Sequence, residues 1–184
     1  MLSLSRAAFA LFLAFSLVTG ASKASFAASA QEIDQDATLA LERLYKSDPA
    51  AKELAGKAAA ILIFPQITKA GLMIGGAYGE GVLRKGGKSV GYFSSVAASY
   101  GLQAGAQTFG YAMFFMNEEA VAYLDSSDGW EIGSGPSVVV ADDGFGKKMS
   151  STTLSEDAYA FIFDQSGLMA GLGIEGSKIS RIDR

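Results

Sequence analysis

The chain contains neither cysteine nor histidine among its 184 residues. Without cysteine no disulfide can form in any compartment, so the hydrophobic core alone must stabilise the fold. Without either residue, the usual zinc sites and the histidine-based forms of acid–base and nucleophilic catalysis are excluded. These absences weigh against an enzyme, and we expect no catalytic residues, no metal site and no cofactor.

An excess of positive charge is also missing. The chain has 15 lysines and arginines against 19 aspartates and glutamates, for a net charge of −4. Nucleic acid is not expected as a partner at this balance. An anionic membrane surface would be repelled by the net field, so binding to it requires a local cluster of basic residues.

The first 30 residues have the composition of a secretory signal peptide. Arg6 supplies a basic start, residues 7–18 form an uncharged apolar segment, and small residues follow. The apolar segment is short for a membrane span. Two cleavage points, after Ala27 and after Ala30, satisfy the small-residue rule. We expect a cleaved signal peptide over residues 1–30, one domain over residues 31–184, and a mature protein in the periplasm or outside the cell.

Two helices are predicted at the start of the mature chain. Apolar residues recur at helical spacing over residues 34–46, with charged residues between them. Asp48 is a suitable N-cap for a second helix over residues 49–55, since Pro49 then occupies the first helical position. Gly56 is placed to end that helix.

From residue 59 the pattern changes to that of β-strands. A charged turn over residues 84–88 between two apolar segments predicts a hairpin, and Asn117 precedes a short helix with two acids in its first turn. Pro65, Gly75-Gly76 and Ser166-Gly167 are expected to interrupt or end strands. The predicted strands cover residues 60–64, 72–83, 90–99, 111–116, 130–133, 137–141, 159–164 and 168–174.

These elements predict an α+β fold. We expect a glycine-rich, strongly curved antiparallel sheet or partial barrel, with two N-terminal helices and one short inserted helix. Glycine at high density among apolar and aromatic residues suits such a sheet, because backbones approach closely and bulges turn corners.

Several segments resemble the SYLF lipid-binding domain family, from about Leu54 to the C-terminus. They occur in the family's order: Ala-Ile-Leu-Ile-Phe-Pro (60–65), Lys-Ala-Gly-Leu (69–72), Gly-Gly-Ala-Tyr-Gly-Glu-Gly-Val-Leu (75–83), Ser-Tyr-Gly-Leu-Gln-Ala-Gly (99–105), the segment 114–120 with its Asn-Glu-Glu, and Ser-Gly-Leu-Met-Ala-Gly-Leu-Gly-Ile-Glu-Gly (166–176). Eukaryotic members are implicated in phosphoinositide or phosphatidic-acid recognition, and some associate with actin. For a chain with a bacterial-type signal, the resemblance implies non-enzymatic phospholipid binding, with envelope maintenance or lipid delivery as its role.

A phospholipid site needs cations or backbone N–H groups for the phosphate beside apolar surface for the acyl chain. The candidate phosphate contacts are Lys69, Arg84, Lys85 and Lys88. The candidates for close backbone approach are Gly71, Gly75 and Gly76. The more ordinary role of these glycines is to permit sheet curvature and positive φ angles.

Two other functions are compatible with parts of the sequence. The size, glycines and aromatics suit a small outer-membrane β-barrel, although the chain starts with helices and several strands are continuously apolar. A carboxylate- or serine-dependent hydrolase is the other alternative, and the absence of histidine weakens it. The G-x-G-x-x-G pattern at residues 171–176 is followed by only eight residues, too few to complete a dinucleotide-binding unit.

Overall fold

The computed structural model describes residues 28–126, 130–131, 138–140 and 156–184. The predicted turns at residues 128–129 and 142–144 and most of the predicted signal peptide lie outside these residues. In the described part, the structure is α+β: three helices and a sheet of five strands.

Helix α1 runs over Ala30–Ser47 and helix α2 over Pro49–Ala55. The start of α1 lies four residues before the predicted one, because Ser29 and Glu32 form a capping box. Asp48 caps α2 as predicted, its side chain accepting hydrogen bonds from the N–H groups of Ala50 and Ala51. One face of α1 is buried, through Ile33, Ala37, Ala40, Leu41 and Leu44.

The sheet is built mainly from three very long strands. These are β1 over Ala60–Lys85, β2 over Lys88–Phe115 and β5 over Ala158–Ile182, all antiparallel to their neighbours. Helix α3, Glu118–Ser126, follows β2, and the short strands β3, Trp130–Glu131, and β4, Val138–Val140, both pair with β5. The strand order is β1-β2-β5-β3, with β4 parallel to β5, and these pairings do not close the sheet.

Three predicted strand breaks are wrong. Strand β1 continues through Pro65 and through Gly75-Gly76, and β5 continues through Ser166-Gly167. Pro65 lies in an irregularity of the register between Phe64 and Ile67, on a strand at the edge of the sheet order. A proline is tolerated there because no ladder hydrogen bond needs its missing N–H.

Strand β1 reverses direction near its middle. Residues four apart on a straight strand are separated by about 13 Å, yet a Cβ on Gly71 would lie 2.5 Å from the Cα of Gly75. Farther along, a Cβ on Gly79 would lie 2.7 Å from the carbonyl oxygen of Gln66. Residues 60–71, the first limb, therefore lie against residues 75–85, the second limb, and Met73 at the reversal has a φ of 63°.

The core consists of two clusters on opposite sides of the strands. Alternate residues of β1 enter different clusters, since successive side chains of a strand point to opposite faces. Leu62 and Phe64 belong to an inner cluster with residues of both limbs. Ile63 belongs to an outer cluster that the buried faces of α1 and α2 cover.

The fold class of the structure agrees with the prediction. The α+β class, the antiparallel pairing of the three long strands, the two N-terminal helices and the short inserted helix are confirmed. Asn117 caps the inserted helix by accepting a hydrogen bond from the N–H of Ala120 at 2.8 Å. Curvature of the sheet as a whole, and the partial barrel, stay predictions.

We predict that Gly81→Ala destabilises the protein by about 1–3 kcal/mol. A Cβ on Gly81 would overlap the carbonyl oxygen of Ile63 and lie 2.7 Å from the Phe64 ring. Chemical denaturation measures the change. The control is Gly76→Ala, where the nearest atom is the Ala97 carbonyl oxygen at 3.5 Å. Equal stability of the two variants would contradict the packing of one limb on the other.

A second prediction concerns alkaline pH. Burial raises the pKa of Tyr111 from 10 to about 12, so the unfolded chain loses the phenolic proton first. The contribution to stability is complete below pH 10 and falls by about 2–3 kcal/mol as the pH rises to 12. Denaturant titrations of the wild type and Tyr111→Phe at increasing pH measure it. The wild type should lose its advantage over the variant in this range, and a constant difference would contradict the prediction.

Candidate functional site

The hairpin between β1 and β2 is confirmed, and its turn is the two-residue Gly86-Gly87. Their φ angles are 56° and 79°, and two consecutive positive values are typical of the turn that matches the twist of hairpin strands. The predicted basic cluster, Arg84, Lys85 and Lys88, therefore does flank a hairpin turn. Its three side chains nevertheless have different surroundings.

Arg84 is directed onto helix α1. Its Nη2 donates to the carbonyl oxygen of Asp34 at 2.7 Å and to the Thr38 hydroxyl at 2.8 Å, and it lies 3.8 Å from the Asp34 carboxylate. The side chain is only 16% exposed. The Nη2 group of Arg84 is thus occupied by α1 and the side chain is largely buried, which makes Arg84 a poor candidate for a phosphate contact.

Asp34 joins the same helix to the hairpin by two more contacts. Its carboxylate accepts hydrogen bonds from the Ser89 hydroxyl at 2.5 Å and from the Tyr92 hydroxyl at 2.8 Å. The hydrogen bond to Asp34, and secondarily burial, raise the pKa of Tyr92. Asp34 and Arg84 therefore form a polar latch between α1 and the hairpin, which we call the helix latch.

Beside the helix latch lies an open groove of about 550 Å³, lined by Gln31, Asp34, Gln35, Thr38 and Ser89 among others. Most of its lining residues have polar side chains, and the Asp34 carboxylate among them is unfavourable for a phosphate. These residues make the groove a poor acyl-chain site.

The two lysines of the cluster remain at the surface. Lys85 forms an ion pair with Glu118 of α3 at 2.6 Å. Lys88 is exposed and forms no hydrogen bond or ion pair with any residue that the structure describes. Of the hairpin residues, Lys88 is the one that a ligand reaches without displacing a contact.

Lys69 lies away from the hairpin, on the first limb of β1, opposite Gln107 of β2. Its side chain is half-buried. Gly71 and Gly75 are packed backbone to backbone at the reversal of β1, so their role there is structural. Gly76 is exposed, with space beside it. The structure thus separates Lys69 and the glycines from the hairpin cluster.

The sequence reasoning missed an exposed apolar surface, which spans the reversal and the start of the second limb of β1 and the residues of β2 paired with them. Ile74 pairs with Tyr100, and Tyr78 pairs with Val96, across β1 and β2. Their exposed fractions are 71%, 69%, 51% and 51%, respectively. Because Ile74 and Tyr78 are four residues apart, they share a side of the sheet. We call these four residues the apolar face.

The reversal of β1 extends this surface. Leu72 and Met73 are 75% and 59% exposed, and they adjoin Ile74 in the chain. Leu168 of β5 is exposed as well, at the level of Ala106 in β2 and Ala70 in β1. The signal in the sequence was the apolar tripeptide Leu72-Met73-Ile74 between glycines, but only the register shows that Tyr100 lies beside it.

Charged groups border the apolar face on one side. Lys178 of β5 is exposed and pairs with Val96. Glu80, two residues beyond Tyr78, is largely buried and is neutralised by Arg184, with which it forms an ion pair. The Tyr78 hydroxyl donates to Glu80 at 2.6 Å. The edge of the face therefore presents an exposed lysine and a compensated carboxylate.

None of the helices in the described part of the chain is long and apolar enough to cross a membrane. Acidic side chains do not gather in groups of three that could hold a metal ion within the same part of the chain.

Residues 96–183 match the family model described as "Ysc84: Las17-binding protein actin regulator". This match confirms the resemblance to the SYLF family. It covers residues 96–115 of β2, helix α3 and β5, and so includes Val96, Tyr100 and Lys178. Strand β1 lies outside it, so the SYLF resemblance of residues 54–95 stays a prediction. None of the curated proteins compared with the chain matches it.

We predict that Arg84→Ala lowers the free energy of unfolding by about 2 kcal/mol, because it removes charge-assisted hydrogen bonds that hold α1. Lys88→Ala, directly after the turn, should change stability by less than about 0.5 kcal/mol. Denaturant unfolding of both variants makes the comparison. If the two substitutions had the same effect, the helix latch would not contribute to stability.

Proposed function

We propose that the protein binds phospholipid membranes through the apolar face and the adjoining residues Leu72 and Met73. The observation that carries this proposal is the exposure of six large apolar side chains in one part of a sheet. Contiguous apolar surface of this kind on a soluble protein marks a site of interaction. The SYLF sequence match is compatible with lipid as the partner, as it is with an actin-related one.

Burial of these side chains supplies the binding energy. Removing a Leu, Ile or Phe-sized side chain from water is worth about 1.5–3 kcal/mol. Leu72, Ile74 and Tyr100 are each more than two-thirds exposed, so most of that gain is still available to them. Scaled by these exposed fractions, the three side chains supply about 3–6 kcal/mol before the costs of association, which suits reversible binding at a membrane surface.

Nearby lysines supply the contacts to phosphate. Lys178 borders the apolar face directly, and Lys69 precedes Leu72 by three residues. Of the residues predicted from the sequence, we retain Lys69 as a phosphate contact and assign Arg84 to the helix latch instead. Because the chain is acidic overall, apolar insertion contributes more than long-range attraction to an anionic surface.

The proposed location is the periplasm or the exterior of the cell, as a peripheral and non-enzymatic protein of the envelope. The signal-like composition of the first 30 residues supports it. The name of the matched family mentions an actin regulator that binds a protein, Las17. A chain exported by its signal would not meet the cytoskeleton, so we propose lipid rather than an actin-related partner.

The experiment is sedimentation of the protein with vesicles of phosphatidylethanolamine and phosphatidylglycerol. The double variant Ile74→Ser/Tyr100→Ser should partition at least about tenfold more weakly, because two side chains no longer bury apolar surface. Raising the ionic strength to about 1 M should weaken the wild type only modestly, because screening at that level affects charge pairs and leaves apolar burial intact.

The matched control is Leu39→Ser, which removes an exposed apolar side chain from helix α1. It should sediment like the wild type. Equal loss of binding in the control, or unchanged binding in the double variant, would show that the apolar face is not the membrane site. Complete absence of wild-type sedimentation would contradict the lipid function itself and favour a protein partner.

A further inference from the structure

The start of helix α1 depends on residues that one of the two cleavage points would remove. The hydroxyl of Ser29 accepts a hydrogen bond from the N–H of Glu32 at 3.3 Å, and the Glu32 carboxylate accepts from the N–H of Ser29 at 2.8 Å. The carbonyl oxygen of Ser29 accepts from the N–H of Ile33 at 3.0 Å. Ile33 is buried in the outer core cluster, so this first turn is part of the packed structure.

Ala28, the residue before Ser29, is also integrated into the fold. It packs against the outer core cluster, and its backbone N–H donates a hydrogen bond to the Glu80 carboxylate. Glu80 lies on the second limb of β1, about 50 residues away along the chain, and its side chain is only 11% exposed. Ala28 is therefore tied to the packed structure both through the outer cluster and through Glu80.

Glu80 is suited to hold a positive charge at this position. Burial by itself would raise its pKa, but the hydrogen bonds from Tyr78, Arg184 and Ala28 and the charge of Arg184 keep that pKa below its ordinary value. The carboxylate is therefore ionised at neutral pH. A cation in place of the Ala28 amide N–H would gain a charge-assisted hydrogen bond in a largely buried setting.

The two cleavage points have opposite structural consequences. A chain that starts at Gln31 lacks Ser29, so its first turn loses the capping box and the acceptor for the N–H of Ile33. It also loses the contact of Ala28 with Glu80. A chain that starts at Ala28 keeps all of these contacts and acquires an α-ammonium group beside Glu80.

We propose that the signal peptide is removed between Ala27 and Ala28, and that the new N-terminal ammonium group forms an ion pair with Glu80. In the hydrolysis, the peptide C–N bond breaks and water supplies the hydroxyl of the Ala27 carboxyl group and a proton to the Ala28 nitrogen. The amine then takes a second proton from solvent at neutral pH. This inference rests on the export of the protein that is part of the proposed function.

The test is the intact mass of the full-length chain after expression in a Gram-negative host and isolation from the periplasm. The expected mass is that of a chain starting at Ala28. A mass lower by the sequence Ala-Ser-Ala, indicating a start at Gln31, would overturn the inference and leave the proposed export intact. An uncleaved chain that stays in the cytoplasm would overturn both. Vesicle binding is measured separately, so its failure is distinguishable from either result.

A second measurement tests the ion pair independently of the peptidase. Thermal unfolding compares two proteins, one starting at Ala28 and the other at Gln31. Both are released from a cleavable fusion. The Ala28 protein should have a Tm higher by at least about 3 °C, because it keeps the helix cap. Glu80→Gln is then introduced into both proteins.

The substitution should lower the Tm of the Ala28 protein more than that of the Gln31 protein, which lacks the ammonium partner. Both proteins keep the contacts of Glu80 with Tyr78 and Arg184, so these cancel in the comparison. Equal shifts in the two backgrounds would overturn the proposed ion pair. Equal Tm values of the two unsubstituted proteins would contradict the structural role of residues 28–30.

Discussion

The contact of β1 with itself is the constraint on which the rest of the structure depends. At Gly71, Gly75, Gly79 and Gly81 the two limbs approach so closely that a Cβ atom would meet backbone or a packed side chain. Strand β2 pairs with β1 along nearly its whole length, and β5 pairs with β2, so both neighbouring strands depend on the course of β1. The inner core cluster accordingly includes residues of both limbs.

The same constraint accounts for the exposed apolar surface. One side of the second limb and of the paired segment of β2 faces the inner cluster and buries small residues, such as Ala77 and Ala97. On the other side, the helices cover the outer cluster, which contains Val82 near the hairpin. Farther from the hairpin on that same side, at Ile74 and Tyr100, the described elements leave the strands uncovered. Large side chains at the reversal therefore remain available to a partner instead of contributing to the core.

Local signals in the sequence were sufficient for the helices and the hairpin. Each of these signals acts within a few residues, so the element it forms can be predicted from the local sequence. They are the Asp48-Pro49 start of α2, the Asn117 cap of α3 and the two glycines of the turn. The proline at position 65 and the glycine pair at 75–76 have equally strong local meanings as strand breakers. Those readings were wrong because register irregularities and close backbone packing, both tertiary features, also favour these residues.

The candidate site was harder to predict because its partners are distant in the chain. In the sequence, Arg84 is an arginine in a basic cluster, which is typical of a phosphate ligand. Its partner Asp34, however, lies 50 residues away. No spacing rule connects the two. To predict the apolar face, one must know that Ile74 pairs with Tyr100. This pairing depends on the register on both sides of an irregularity. Exposure, the property that defines this face, is not encoded by any single residue.

The proposed function requires the apolar face to enter the hydrocarbon region of a membrane. Because the chain has no cysteine, a single spin label can be placed by Ile74→Cys and compared with one placed by Leu39→Cys on α1. With phospholipid vesicles, the label at position 74 should become accessible to oxygen and protected from a water-soluble nickel chelate, while the label at position 39 stays in water. If both labels remained equally accessible to the chelate on vesicle-bound protein, the claim would be contradicted.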